Sequence, residues 1–313
     1  NGYNEGVNGL GGTGTVDNSG TVAAALTVGN ANFSSTFAGT LQNSGSPLSL
    51  VKIGTGTLQL NTASTHSGGV TINAGTVEAA SGAALGSGTV TLGGGTLALP
   101  GALTITNLLA FSANDSHLTN TSGTGVMGFS GGLDFLGATR YIYFDNDTTI
   151  SGSLAGGGIE RKFGLTTLTF KDVTGDLTGN LEIREGNVVF AGATLTKSVN
   201  GIRLMCMVTN GVGRLTVTNG ARISFMGTGQ NMRVGSTSPN SEVTATNIAD
   251  IAGTVEFTTG AGCVQIGANC ALAELNLLPG GVLRIQGVTP QQTTGIACWN
   301  FNGGVLSPVV NSA

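Results

Sequence analysis

The side chains able to do chemistry are few in this chain and stand far apart. His66 and His117 are its two histidines, so they are the imidazoles that could serve as general bases near neutral pH. Asp145-Asn146-Asp147 opens like a calcium loop, which needs clustered oxygen ligands. The glycine at its sixth place and the glutamate at its twelfth are missing, as is the Gly-Gly-x-Gly-x-Asp calcium repeat, so a solvated turn is the better reading. Gly9-Leu10-Gly11-Gly12-Thr13-Gly14 has the spacing of a dinucleotide fingerprint. No strand leads into it and no helix follows, and in a chain with 54 glycines chance explains it.

Four cysteines fall in the last third: Cys206, Cys263, Cys270 and Cys298. Four allow three pairings, and the sequence does not choose among them. Cys263 and Cys270 could bridge a corner as a disulfide, or each could sit inward as a small hydrophobe. No Cys-x-x-Cys occurs, which with two histidines argues against zinc. Two other clusters stand out. Arg140-Tyr141-Ile142-Tyr143-Phe144 could form an aromatic platform for sugars, although an ordinary strand with stacked aromatics explains it as well. Glu160-Arg161-Lys162 is the densest run of charge and reads as a solvated edge. A lyase-type site would need carboxylates converging with Arg or Lys, and the carboxylates here are dispersed. The expectation is a non-enzyme with no catalytic, cofactor-binding or metal-ligating residue.

Any such group must be positioned by the elements around it, and these repeat. Val51-Lys52-Ile53-Gly54-Thr55-Gly56-Thr57-Leu58-Gln59-Leu60 is followed by Ser67-Gly68-Gly69-Val70-Thr71-Ile72-Asn73-Ala74-Gly75-Thr76-Val77. Gly94-Gly95-Thr96-Leu97 closes the series. Leu58, Val77 and Leu97 hold the same place in their units, so the period is close to twenty. Alternation puts Leu58 and Leu60 on one face and Gln59 on the other. A strand offering two or three inward side chains cannot bury them alone; stacked on like strands above and below, it gains ladders in both directions and a continuous core. Glycine and asparagine between the strands supply the positive-φ positions of sharp corners.

A second copy lies farther along. Lys162-Phe163-Gly164 through Phe170 mirrors Lys52-Ile53-Gly54 through Leu60. Gly186 mirrors Gly75 at nearly the same offset, with a single residue inserted between the two halves. Leu215-Thr216-Val217, Val282-Leu283-Arg284-Ile285 and Gly303-Gly304-Val305-Leu306 read as further coils. The nearest helix candidate, Asn247 to Ile251, is one turn at most. Ala113 to Thr124 is the most polar stretch and the best candidate for an insertion or seam. The expected fold is all-β: a right-handed parallel β-helix with about 20 residues per coil and about fifteen coils, rising ~4.8 Å each. One continuous solenoid is expected over residues 1–313, with a first repeat module at 1–160 and a second, more degenerate one at 161–313.

These residues carry a family resemblance. Phe33 through Leu97 resembles the passenger-associated transport repeat, also called the autotransporter-associated β-strand repeat, of bacterial surface proteins. The matching positions are Leu50, Lys52, Gly54, Gly56, Thr57, Leu58 and Leu60, then Gly68, Gly69, Gly75, Thr76, Leu85 and Gly86. The sequence departs at His66, where the family more often has Tyr or Phe, so His66 reads as a structural corner residue. The resemblance implies a secreted or surface-displayed parallel β-helix, an extracellular location, and no enzymatic activity in the repeats.

Composition bounds the partners. Charged residues make up 9% of the chain, the net charge is −4, and mean hydropathy is +0.25. That excludes the clustered basic surface needed for nucleic acid or an anionic membrane. No apolar run approaches the ~18 residues of a spanning helix. A surface of Thr, Ser, Asn and Gly suits an object that packs against copies of itself. The leading expectation is therefore a structural segment of an extracellular fibre, sheath or surface layer, each end meeting another copy head to tail or continuing into the next segment of a longer chain. The alternative is an adhesin passenger that touches a host or surface polysaccharide through one face.

Overall fold

A computed structural model describes residues 2–198, 201–206, 208–227, 229–235, 244–258, 262–267, 270–290 and 295–308. Among these residues there are strands and turns but no helix, and every strand pairing given is parallel. The stacked strands form a β-solenoid of about 12 turns with roughly 23 residues per turn. The turns are fewer and longer than the repeat around Leu58 and Val77 implies, because that repeat is the tightest part of the chain. By contact density the chain divides into two compact units. The first is Asn1–Leu136 with Asp145–Thr148, and the second is Gly137–Phe144 with Thr149–Ala313.

In the first unit one column of strands stacks through Leu26, Leu50, Val70, Val90, Leu109 and Leu133. A second stacks through Ser35, Leu58, Val77, Leu97 and Leu118. Leu50 pairs with Val70 and Val70 with Val90, an even step where glycine-cut strands follow one another without insertion. Ala113 to Thr124, read as a candidate insertion, instead contains the strand Ser116–Asn120, paired in register with Thr96–Leu99. Its polarity is that of inward Ser116 and Asn120, both buried at either end of the strand.

Three columns run through the second unit. They pass through Leu181, Ile202, Met232 and Val264; through Leu195, Ile223, Val255, Leu283 and Leu306; and through Val188, Leu215, Ala249, Leu275 and Trp299. Here the step lengthens. Leu204 pairs with Val234 and Val234 with Ile266, each at least half as long again as the step from Leu50 to Val70. The extra length is concentrated at one corner. The strands Leu181–Ile183 and Gly186–Ala191 nearly abut, whereas a longer connection separates Ile202–Leu204 from Val212–Val217 and a longer one still separates Asn231–Val234 from Thr246–Ile251. Asn247 to Ile251, the sequence's nearest helix candidate, lies within that last strand, because its inward Asn247, Ala249 and Ile251 follow a two-residue period.

The core is what the alternation requires. Leu58, Leu60, Ile72, Val77, Leu168, Phe170, Val188, Leu215 and Leu283 are buried, while Gln59 faces outward. Each buried aliphatic contributes roughly 1.5–3 kcal/mol from apolar transfer. Inward phenylalanines stack between turns, with ring centroids 5.1 Å apart for Phe170–Phe190 and 4.5 Å for Phe225–Phe257.

Candidate functional site

The corners hold the first polar site. Lys52 closes the strand Leu48–Lys52, two positions beyond Leu50 on the same inward face, and is fully buried. Its Nζ donates to Ile53 O at 2.6 Å, Gly54 O at 2.8 Å and Ala74 O at 3.4 Å. Lys162 does the same in the second unit, donating to Gly164 O, to Thr166 O at 2.7 Å and to Glu185 O at 3.0 Å. Lys197, also fully buried, donates to Leu177 O at 2.6 Å and to Gly179 O. An ammonium with three donors satisfies several corner carbonyls at once; of those it reaches, Thr166 O also accepts from Asn187 N at 3.1 Å. Burial pushes the Lys52 ammonium below its ordinary value. It takes Lys197 down to about 7, with Asp176 pulling the other way. Buried asparagines serve other corners. Asn120 accepts from Gly101 N at 2.9 Å and donates to Thr124 O at 2.8 Å, and Asn107 donates to Gly88 O at 2.7 Å.

The second site is an outward column in the second unit. Register places Glu182, Arg203, Arg233 and Gln265 side by side on successive turns. Glu182 is 3% exposed and spends both oxygens: Oε1 accepts from Arg203 at 2.9 Å and Oε2 from Arg184 at 2.7 Å. Arg233 donates from Nε to Gln265 Oε1 at 2.8 Å. Burial and then the neighbouring Arg203 charge lower the Arg233 pKa. Elsewhere Glu256 lies between Arg222, at 2.5 Å, and Arg284, at 3.4 Å. Burial raises its pKa, but bonds from Ser224 and Arg222 and the charges of both arginines outweigh that and lower it. A further ladder runs from Arg214 to Asp250, then through Asn276 at 2.8 Å to Asn300 at 2.7 Å.

The third feature is the last described coil. Trp299 and Phe301 occupy inward positions paired with Leu275 and Leu277, and Leu306 is paired with Leu283. The partners are buried, yet Phe301 is 54% and Leu306 43% exposed.

The structure joins two clusters that the sequence presented separately. Tyr143 stacks on Phe163 at 4.6 Å with an interplanar angle of 13°, and the Arg161 guanidinium lies 4.2 Å over the Tyr141 ring. One face of each tyrosine ring is thus taken up within the strand stack, as the stacked-strand reading expects for Tyr141 and Tyr143. Lys162 belongs to the interior rather than to a solvated edge, because a register shift between Ile159 and Lys162 turns it inward. His66 is fully buried with neither ring nitrogen bonded, in the corner that the repeat pattern assigns to an aromatic. His117 Nδ1 meets Asp145 Oδ2 at 2.9 Å, half-exposed. Asn146 Oδ1 accepts from Asn120 N at 2.7 Å, so the Asp145–Asp147 segment is tied down as a turn. A strand, Glu5–Val7, does lead into Gly9–Gly14, contrary to the sequence reading, but the segment runs into the strand Thr15–Asp17 and not into the helix that a dinucleotide fingerprint needs.

The thiols of Cys206, Cys263, Cys270 and Cys298 are all free. Cys206 and Cys270 are buried, Cys263 and Cys298 are partly exposed, and burial raises the Cys206 pKa. Among the described residues no three His, Cys, Asp or Glu side chains converge as a metal site, and no helix is long and apolar enough to cross a membrane.

Residues 50–79 match the passenger-associated-transport-repeat family. No curated protein and no solved structure matches the chain. The matched segment runs from Leu50, through the Lys52 clamp and Leu58, to Ala79, and so contains one full turn of the solenoid. A β-solenoid that carries this repeat over residues 50–79 is consistent with an autotransporter-associated β-helix repeat protein. Repeat and solenoid together fit a passenger-like surface protein, a type of fold that is typically structural or adhesive.

Proposed function

We propose that this chain is a non-enzymatic structural segment of an extracellular bacterial fibre, sheath or surface layer, in which solenoids join end to end. The observation that supports this reading is the last described coil, with Phe301 and Leu306 exposed at positions that are buried one turn earlier. A further coil laid on that end in register would bury them and extend both strand ladders; in the proposed assembly a second copy, or the next segment of a longer chain, supplies it. An end that meets a different end does not close, so repetition gives a filament. Low surface charge offers little repulsion to such contact.

Trp299, the chain's one tryptophan, reports on that end. Sedimentation velocity of the purified chain should show concentration-dependent growth, with Trp299 emission shifting to the blue as the coil is covered. Phe301→Asp should abolish both. A wild-type chain that stays monomeric at high concentration with unchanged emission would overturn the reading. One observation favours the adhesin alternative: most of the chain length added in the second unit falls at one corner, above all between Val234 and Thr246, as expected where one side is elaborated for contact.

A further inference from the structure

We infer that an outward groove in the first unit, lined by Ser34, Ser35, Thr36, Thr57, Gln59 and Glu78, binds an uncharged polysaccharide laid along the stack of turns. The inference concerns a side face and does not rest on end-to-end assembly. The groove measures about 290 Å³, near the lower end of the ~300–1,000 Å³ usual for small-ligand sites. Successive turns build it: Thr36 is in register with Gln59, and Gln59 with Glu78. Every lining side chain can form hydrogen bonds and none is basic. Thr36 Oγ1 donates to Gln59 Oε1 at 3.2 Å, and Gln59 Nε2 donates to Glu78 Oε1 at 3.0 Å. That relay fixes the Gln59 amide and holds the half-buried Glu78 carboxylate in one orientation. Among the described residues no bond takes up Glu78 Oε2, and Glu78 enters no ion pair. Its register neighbours, Gln59 and Ala98, are neutral. A carboxylate held this way is a ready acceptor for a ligand's O–H groups.

Three further observations narrow the ligand. The hydroxyls of Ser34 and Ser35 accept from Thr57 N at 3.0 Å and Leu10 N at 3.1 Å, which leaves each its own O–H to donate. Donor hydroxyls beside an acceptor carboxylate match a sugar hydroxyl, which donates and accepts at once, better than an ammonium, which only donates. The lane is also open at both ends. Gly12 bridges to Phe37, so Gly11, without a side chain, lies one turn before Thr36, and the buried Ala98 follows Glu78 one turn later. Beside the lane, Thr57, Thr76 and Thr96 stand half-buried in register on consecutive turns, one strand spacing of ~4.8 Å apart. That spacing is comparable with the length of one sugar ring, so an extended chain meets a fresh hydroxyl at each turn. A carboxylate with no cation beside it disfavours uronates and the phosphates of nucleic acid.

The test is binding of the purified chain to an array of uncharged gluco-, galacto-, manno- and xylo-oligosaccharides, with oligogalacturonate and oligolysine as comparison probes. Calorimetry follows on the tightest uncharged binder. At least one uncharged oligosaccharide should bind more tightly than both comparison probes, with an affinity that salt leaves unchanged, because no charge pair is there to be screened. Glu78→Gln keeps an acceptor for Gln59 but removes the charge, and should cost about tenfold or more, the scale of a hydrogen bond to a charged group. Thr57→Val removes a hydroxyl at nearly constant shape and should cost about fivefold. Glu274→Gln, at an outward carboxylate of the second unit, should leave affinity unchanged. Melting curves establish that each variant is folded; if Glu78→Gln is not, Thr57→Val carries the comparison. No uncharged oligosaccharide bound, tighter binding of oligogalacturonate or oligolysine, full affinity in the folded groove variants, or equal loss in Glu274→Gln would each overturn the inference.

Discussion

Lys52 and Lys162 lie in separate copies of the repeat and close the same kind of corner. Each turns its ammonium inward onto the carbonyl of the glycine two positions on, Gly54 or Gly164. Each also reaches the residue just before the next corner glycine, Ala74 before Gly75 or Glu185 before Gly186. The second copy read in the sequence is thus a copy of the interior clamp as well as of the strand pattern.

The clamp should be worth measuring by deletion. Lys52→Met keeps much of the volume and removes the donors, leaving up to three corner carbonyls unsatisfied. Relief of the buried charge offsets part of that loss. A net destabilisation of about 1–3 kcal/mol is expected, with the same sign for Lys162→Met. Urea midpoints of the two variants check this, and an unchanged midpoint in either would remove the clamp's role there.

What was legible in the sequence follows from how regular each part is. Leu58, Val77 and Leu97 reveal the period because their corners are cut to nearly constant length. Lys52 was also legible in principle, since alternation from Leu48 and Leu50 places it inward, but a lysine two positions past a leucine is ordinarily taken as solvated. Lys162 was not, because a register shift after Ile159 breaks the parity. The column of Glu182, Arg203, Arg233 and Gln265 was hidden altogether. Its members are unevenly spaced along the chain, because the corners between them differ in length, and no fixed period finds them. The end coil was legible as a unit through Gly303-Gly304-Val305-Leu306, although its exposure depends on what stacks upon it.

Gly186 tests the corner backbone. Its φ is +69°, and a Cβ there would come within 2.5 Å of Gly164 O and 2.6 Å of Thr166 O, two backbone atoms of the preceding turn. Neither atom can swing away as a flexible side chain would. Gly186→Ala should therefore cost about 2–4 kcal/mol, combining positive-φ strain with the forced shift of a neighbouring coil. A thermal melt within experimental error of the parent's would show the corner to be softer than its geometry.

His66 should make the first unit sensitive to acid. Burial holds its imidazole below the ordinary value of 6.5. The unfolded chain then binds a proton at higher pH than the folded one, so stability falls as pH drops below 6.5 toward the folded value. His66→Phe removes two unbonded buried nitrogens and places an aromatic where the repeat pattern expects one. It should raise stability by about 1 kcal/mol near neutrality and by more at pH 5. Denaturation midpoints at both pH values check the difference; a variant that tracks the parent at each would refute it.

Lys197 should act in the alkaline range. Its folded value is about 7, set first by burial, and the unfolded value is the ordinary 10.5. Between these limits the unfolded chain holds the proton that the folded chain has given up, so stability rises with pH from about 7 to about 10. Deprotonation does not open the corner, because a neutral amine still has two N–H groups for Leu177 O and Gly179 O. Lys197→Met abolishes the titration, so its stability profile should be flatter than the parent's across this window, and the two should diverge most near pH 10. Chemical denaturation of parent and variant at pH 7, 8.5 and 10 decides the matter. Parallel profiles would mean that the carbonyls hold the ammonium charged despite its burial.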